Sequence, residues 1–237
     1  MVGNLKYIVA SLLIGFIDMF GATNRYEIKS GIVEYEIVGS VEGGKKGDSI
    51  TGTSKLYFKD YGNLELTDEK IVQVTMGEKD EERTLSKIVG NKMYSVDFEE
   101  EVIYTQKLAL DEEDGAMNVK NYDTFVQMGA KNLGKEEILG YKCDVWQLGQ
   151  DKIWVYNSVP LKQVSKSNGS IQIQQAKLAV FNVDIKDDKF KLPPFPIKAI
   201  EEIVGDEGES AAPVVPETHK KEPAKQEPVK QEFKKVK

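Results

Sequence analysis

Histidine and cysteine are all but missing from these 237 residues: His219 and Cys143 are single occurrences. One cysteine cannot close a disulfide within the chain, and no zinc site built from several Cys and His ligands can form within it. His219 stands in a Pro/Glu/Lys-rich stretch, which argues against a Ser-His-Asp or Cys-His mechanism. Positive charge is not in excess either. The net charge is −7, spread diffusely, so the basic footprint that nucleic-acid binding needs is lacking. A phosphate-cradling glycine loop is also missing, because Gly43, Gly44 and Gly47 precede a strand pattern rather than a helix. The acidic run Asp111 to Asp114 lacks the alternating ligands of a calcium loop and reads as a solvated loop, as do the acidic stretches at 78–82 and 99–101. These exclusions leave no catalytic set, no metal site and no cofactor site to argue for.

Three segments stand out in what is present. Residues 1–22 carry Lys6, an apolar run from Tyr7 to Ile17 and small residues at Gly21 and Ala22. That is the pattern of a cleaved secretory signal peptide, and the run is too short for a comfortable membrane span. No cysteine lies near its end, so a lipoprotein leader is excluded. The expected location is the periplasm. Residues 206–237 hold four of the eight prolines, seven Lys and seven acidic residues. Such a composition cannot offset the entropy of ordering, and the expectation is a disordered tail with polyproline character. A domain of residues 23–205 lies between them.

The middle segment alternates. In GIVEYEIV, Val33, Tyr35 and Ile37 fall on one face and Ile32, Glu34 and Glu36 on the other. Period two with β-branched and aromatic residues reads as a half-buried strand. The same pattern recurs at 50–59, at 64–67 continuing through Val72 to Met76, at 84–89, 93–98, 102–107, 135–139, 141–148, 152–157 and 161–166, and in a long run at 170–185. Gly90-Asn91 and Asn168-Gly169 read as hairpin turns, and 77–83 as a polar connection. About ten strands result. The predicted fold is mainly β: an antiparallel sheet curved into a half-barrel, because a wide sheet twists and curls.

Two stretches break the alternation. Tyr122, Phe125, Val126 and Gly129 share one helical face, so 121–132 predicts a short amphipathic helix, capped by Asn121 and ended near Gly134. It is expected to lie on the concave side of the sheet, as plug or lid. Ile197, Ile200, Ile203 and Val204 suggest a brief terminal helix.

At residues 136–165, EEILGYKCDVWQL followed by KIWVYNSVPLKQVS resembles LolA-like envelope proteins, in particular export-targeted branches with a G-Y-K-C-x-x-W element. IKSGIVEYEI and FKLPPFPI also fit. The resemblance spans about residues 26–200. It implies a half-barrel with covering helices and, in well-known members, lipid or lipoprotein acyl chains bound on the concave face. On this reading the chain is a monomeric, non-enzymatic periplasmic module for an apolar ligand, a lipid or lipidated partner. The candidate ligand-binding residues are Val33, Tyr35, Leu56 and Phe58 on the sheet, with Tyr122, Phe125 and Val126 on the helix. The competing expectation is a structural or interaction protein of the envelope, its core filled by side chains. Cys143 reads as a small core residue, and Tyr141, Trp146, Trp154 and Tyr156 as core and cross-strand pairs.

Overall fold

A computed structural model describes residues 24–41, 48–108, 125–167 and 170–200. The proposed leader, the tail, Tyr122 and the Asn168-Gly169 turn lie outside the described residues.

Twelve strands form one open sheet among the described residues: β1 (Gly31–Val41), β2 (Ser49–Lys59), β3 (Leu64–Thr75), β4 (Glu78–Val89), β5 (Lys92–Asp97), β6 (Val102–Lys107), β7 (Lys131–Ile138), β8 (Tyr141–Leu148), β9 (Asp151–Tyr156), β10 (Val159–Ser167), β11 (Ser170–Phe181) and β12 (Ile197–Ala199). Their order is β12-β6-β5-β4-β3-β2-β1-β11-β10-β9-β8-β7. The sheet is therefore two meanders, β1–β6 and β7–β11, joined where β1 pairs antiparallel with β11. The mainly β fold class and the open, curved antiparallel sheet stand as the alternation predicts.

Several boundaries differ, each for a physical reason. The polar stretch 78–83 is the first half of β4, not a connection. It pairs residue by residue with β3 through a two-residue turn at Met76-Gly77, whose φ values of 54° and 83° match the twist of a hairpin. Its side chains are polar because that end of the hairpin is largely exposed. The predicted helix at 121–132 is, among described residues, a single helical turn at 125–127; Lys131 and Asn132 already belong to β7, and Gly134, with φ of 101°, adjoins an irregularity in its pairing with β8. Of the predicted terminal helix, residues 197–199 are not helical, Ile200 is, and Ile203 and Val204 lie outside the described residues. Residues 197–199 form β12, parallel to β6, because the β6 edge offers unpaired backbone groups that the returning chain satisfies. The long run from 170 ends at Phe181. The other edge, β7, is blunted by exposed Lys131, Lys135, Glu136 and Glu137.

Burial divides the sheet into a base and a rim. At the base, Val33, Tyr35, Leu56 and Phe58 pack with Cys143, Val145, Trp154, Val159 and Leu161. Register explains how β8–β10 reach this core. β10 pairs with β11 only from Lys162 onward and is irregular between Pro160 and Lys162, so its first residues swing away from β11. A proline, which has no N–H to donate, is tolerated at such a break. The Tyr35 hydroxyl then donates to Pro160 O at 2.7 Å, tying the first meander to the second, and the Tyr141 hydroxyl donates to Ala179 O at 3.2 Å, tying β8 to β11 within the second. Phe58 lies so close over Gly31 that a Cβ there would come within 2.6 Å of its ring.

Residues on both sides close the base. Ahead of β1, Tyr26 N donates to Tyr61 O and Glu27 N to Asn157 O, so this segment bridges the β2–β3 and β9–β10 turns. Beyond β11, Ile185 and Phe190 cover Leu66, Leu85, Val96 and Ile103 on the outer face before the chain reaches β6. An ion pair of Lys59 with Asp187 at 2.8 Å fastens this strap.

Candidate functional site

The inner face is followed by register from the base toward the rim. Alternation places Val33, Tyr35, Ile37 and Gly39 of β1 on one side. Opposite them stand Leu56, Ser54, Gly52 and Ile50 of β2. β3 continues the face with Thr67, Glu69, Ile71 and Gln73, and β4 with Ser86, Thr84, Glu82 and Asp80. On the far side, Ala176, Gln174 and Gln172 of β11 face Tyr35, Ile37 and Gly39, and Gln163 of β10 faces Gln174.

The lining changes character along this face. Ile37, Ile50 and Ile71 form a small buried apolar cluster past the base. Around it the buried side chains are polar: Ser54, Thr67, Glu69, Ser86, Gln163, Gln172 and Gln174. Burial of such groups is costly unless they are hydrogen-bonded. Yet Ser54 Oγ, Glu69 Oε2, Gln172 Nε2 and both side-chain polar atoms of Gln174 have no hydrogen-bond partner among the described residues. Burial and the neighbouring Glu82 push the Glu69 carboxyl up to about 7. Ser54 opposite pulls it slightly down, but their contact falls short of a hydrogen bond for Ser54 Oγ and for Glu69 Oε2.

At the base the polar chemistry is engaged. The Glu65 carboxylate accepts from Tyr26 Oη at 2.8 Å and from Arg25 Nε at 3.4 Å, all three buried. Burial raises the Glu65 carboxyl and outweighs the lowering by Arg25 and Tyr26. The Cys143 thiol is buried and pushed up to about 11 by desolvation, so it is not a thiolate near neutrality. The Trp154 indole donates to Glu136 at 2.7 Å.

The residues singled out from sequence separate into three places. Val33, Tyr35, Leu56 and Phe58 come together, at 0–3% exposure, inside the packed base. Phe125 is 1% exposed and stacks on Trp146 at 5.1 Å and 14°, with Ile153 and Val155 beside it. Ile153 pairs with Gln163 beside the irregularity of β10, while Val145 and Trp154, which alternate with Trp146 and Ile153, turn into the packed base. Val126 does not join it: its side chain is 51% exposed, because a single helical turn presents only one residue to the sheet. The buried polar set, Ser54, Glu69, Gln172 and Gln174, escaped the sequence reading. Its signal is the run IQIQQ at 171–175, where strict alternation puts Gln rather than Ile on the inner face.

The described chain is thus an open antiparallel sheet whose inner face is packed at one end and lined by unpaired polar groups at the other. No protein-family model matches the sequence, and no curated protein matches it. Solved structures at low identity are similar to it. An uncharacterized conserved protein from Thermus thermophilus aligns over 78% of this chain and 98% of its own, with 8% identity and a TM-score of 0.39. A LolA superfamily protein from Nitrosomonas europaea aligns over 74% and 96%, with 12% identity and a TM-score of 0.33. A putative outer membrane lipoprotein-sorting protein domain from Vibrio parahaemolyticus aligns over 75% and 94%, with 9% identity and a TM-score of 0.29. No helix of the described residues is long and apolar enough to cross a membrane.

Proposed function

We propose that this protein is an exported, non-enzymatic binding module that holds the apolar part of a lipid or lipidated partner on the inner face of its sheet. One observation carries the reading: buried Ile37, Ile50 and Ile71 stand on the inner face beside side-chain polar groups that the described protein leaves unpaired. A face that has only to fill itself is better served by apolar residues throughout. Val33, Tyr35, Leu56 and Phe58 form the packed floor of the site and Phe125 its flank over β8 and β9. The periplasmic location follows from the apolar run behind Lys6 and from the resemblance at 136–165.

The second reading, a structural envelope protein with a filled core, is favoured by the dense packing of the base. Mass spectrometry of the mature protein, purified without detergent, separates the two. The expected result is acyl lipid held at about one equivalent. Protein that emerges free of lipid and takes up no pyrene-labelled fatty acid overturns the binding reading and leaves the structural one.

A further inference from the structure

The rim of the inner face has a chemistry that an acyl-chain site alone does not require. Ser54 and Glu69 face each other across β2 and β3, and Gln174 and Gln172 lie on β11 beyond β1. Two strand spacings separate Ser54 from β11 and three separate Glu69 from it, roughly 10 and 14 Å. Between them Gly52 and Gly39 present no side chain, beside the cluster of Ile37, Ile50 and Ile71. Each polar member is at least nine-tenths buried: Ser54 is 1% exposed, Gln174 2%, Glu69 4% and Gln172 7%.

The sign of the charge narrows what can fit. The inner-facing positions of β1–β4 and β11 named above include no Lys or Arg; the acidic groups among them are the carboxyls of Glu69, Glu82 and Asp80 and the Tyr35 phenol, which is neutral near pH 7. Arg25, at the base, is engaged with Glu65. A phosphate or other anionic head placed here would meet carboxyls and no cation. Amide N–H groups, an amide carbonyl and a hydroxyl match instead the carbonyls and hydroxyls of an uncharged ester. We propose that the rim recognises the uncharged, ester- and hydroxyl-bearing head of a neutral glyceride, held by Gln172, Gln174, Ser54 and Glu69. This rests on the proposed lipid-binding function and adds the class of head group.

The test uses the full chain and three pyrene-labelled probes with matched chains: a diacylglycerol, the phosphatidic acid that differs from it by one phosphate, and an alkane without a head. Fluorescence anisotropy should show the diacylglycerol bound at least tenfold more tightly than either other probe. The double variant Gln172→Leu/Gln174→Leu should lose that tenfold while its melting temperature stays level or rises, because unpaired buried amides are removed. Ser54→Ala, a smaller change, should weaken the diacylglycerol about threefold and serves if the double variant does not fold. Phosphatidic acid binding as well as diacylglycerol, or a folded variant keeping full preference, overturns the proposal. Equal binding of all three probes overturns the head-group assignment alone and keeps the apolar site; no binding of any overturns both.

Discussion

Base and rim belong to the same strands, yet they use their buried residues differently. At the base each buried aromatic meets another ring or a hydrogen-bond partner: Tyr26 lies 4.4 Å from Phe58, and Tyr141, Tyr156 and Phe181 form a mutual group at 4.8–5.6 Å. At the rim the same β1 and β2 backbones carry Ile37, Gly39, Gly52 and Ser54, and the neighbouring strands add Glu69 and Gln174. The difference teaches that alternation fixes which residues face inward, while the second chain segment laid against them decides whether that face becomes core. β8–β10 reach the base because β10 leaves β11 at Pro160; at the rim β10 stays paired with β11.

The contrast can be attacked most forcefully at the base. Phe58→Ala removes a fully buried ring that also rests on Gly31, and a loss of about 3–5 kcal/mol is expected in urea unfolding. A loss below about 1 kcal/mol would mean that the base is not the stabilising half. Phe125→Ala, which leaves Trp146 without its stacked partner, should cost somewhat less, about 3 kcal/mol, and should also loosen any bound lipid. Unchanged stability together with unchanged lipid content would detach Phe125 from the sheet.

Arg25→Met sharpens the comparison through pH. Removing one partner of a buried pair costs about 3 kcal/mol or more when the other stays charged. Burial raises the Glu65 carboxyl, so in the variant it can take up a proton instead. The penalty should therefore be large at pH 8 and smaller at pH 5. An equal penalty at both would show that Glu65 does not titrate between them.

Glu69 supplies the corresponding measurement at the rim. Its carboxyl rises from 4.5 to about 7 on folding. Between those values the folded chain holds a proton that the unfolded chain has lost. The stabilising contribution is full below about pH 4.5 and disappears as pH climbs through 7. Its size is on the order of 3 kcal/mol at most. Chemical unfolding of Glu69→Gln between pH 5 and 8 should show a flatter profile than the wild type. A parallel profile would place Glu69 in contact with solvent. Smallest of all, Val126→Ser at a half-exposed position should change stability by no more than about 0.5 kcal/mol.

Much of the sheet was legible because alternation and turn residues act locally. GIVEYEIV, YKCDVWQL and KIWVYN each read as strands, and Gly90-Asn91 does join β4 to β5. The errors arose where a distant segment decided. Residues 78–83 look like a loop until β3 supplies the partner backbone, and Ile197–Ala199 look helical until β6 offers a free edge. The base residues Val33, Leu56 and Phe58 could be grouped from periodicity, but not the fact that β8–β10 pack over them, since that depends on a break in pairing at Pro160. The rim polar set runs against composition: in IQIQQ the apolar residues are natural candidates for the core, whereas Ile171 is 40% exposed and Gln174 is 2% exposed.

The meeting of β1 with β11 at the middle of the sheet also governs when the molecule can fold. Gly31 pairs with Phe181, and Val41 with Ser170, so the central seam joins residues far apart along the chain. The β1–β6 meander can zip from neighbour to neighbour, but the base must wait until the last long strand is present. Closing such long loops costs entropy before contacts offset it, and chains dominated by distant pairings fold slowly. A nascent chain therefore stays pliable until almost all of its body has been made.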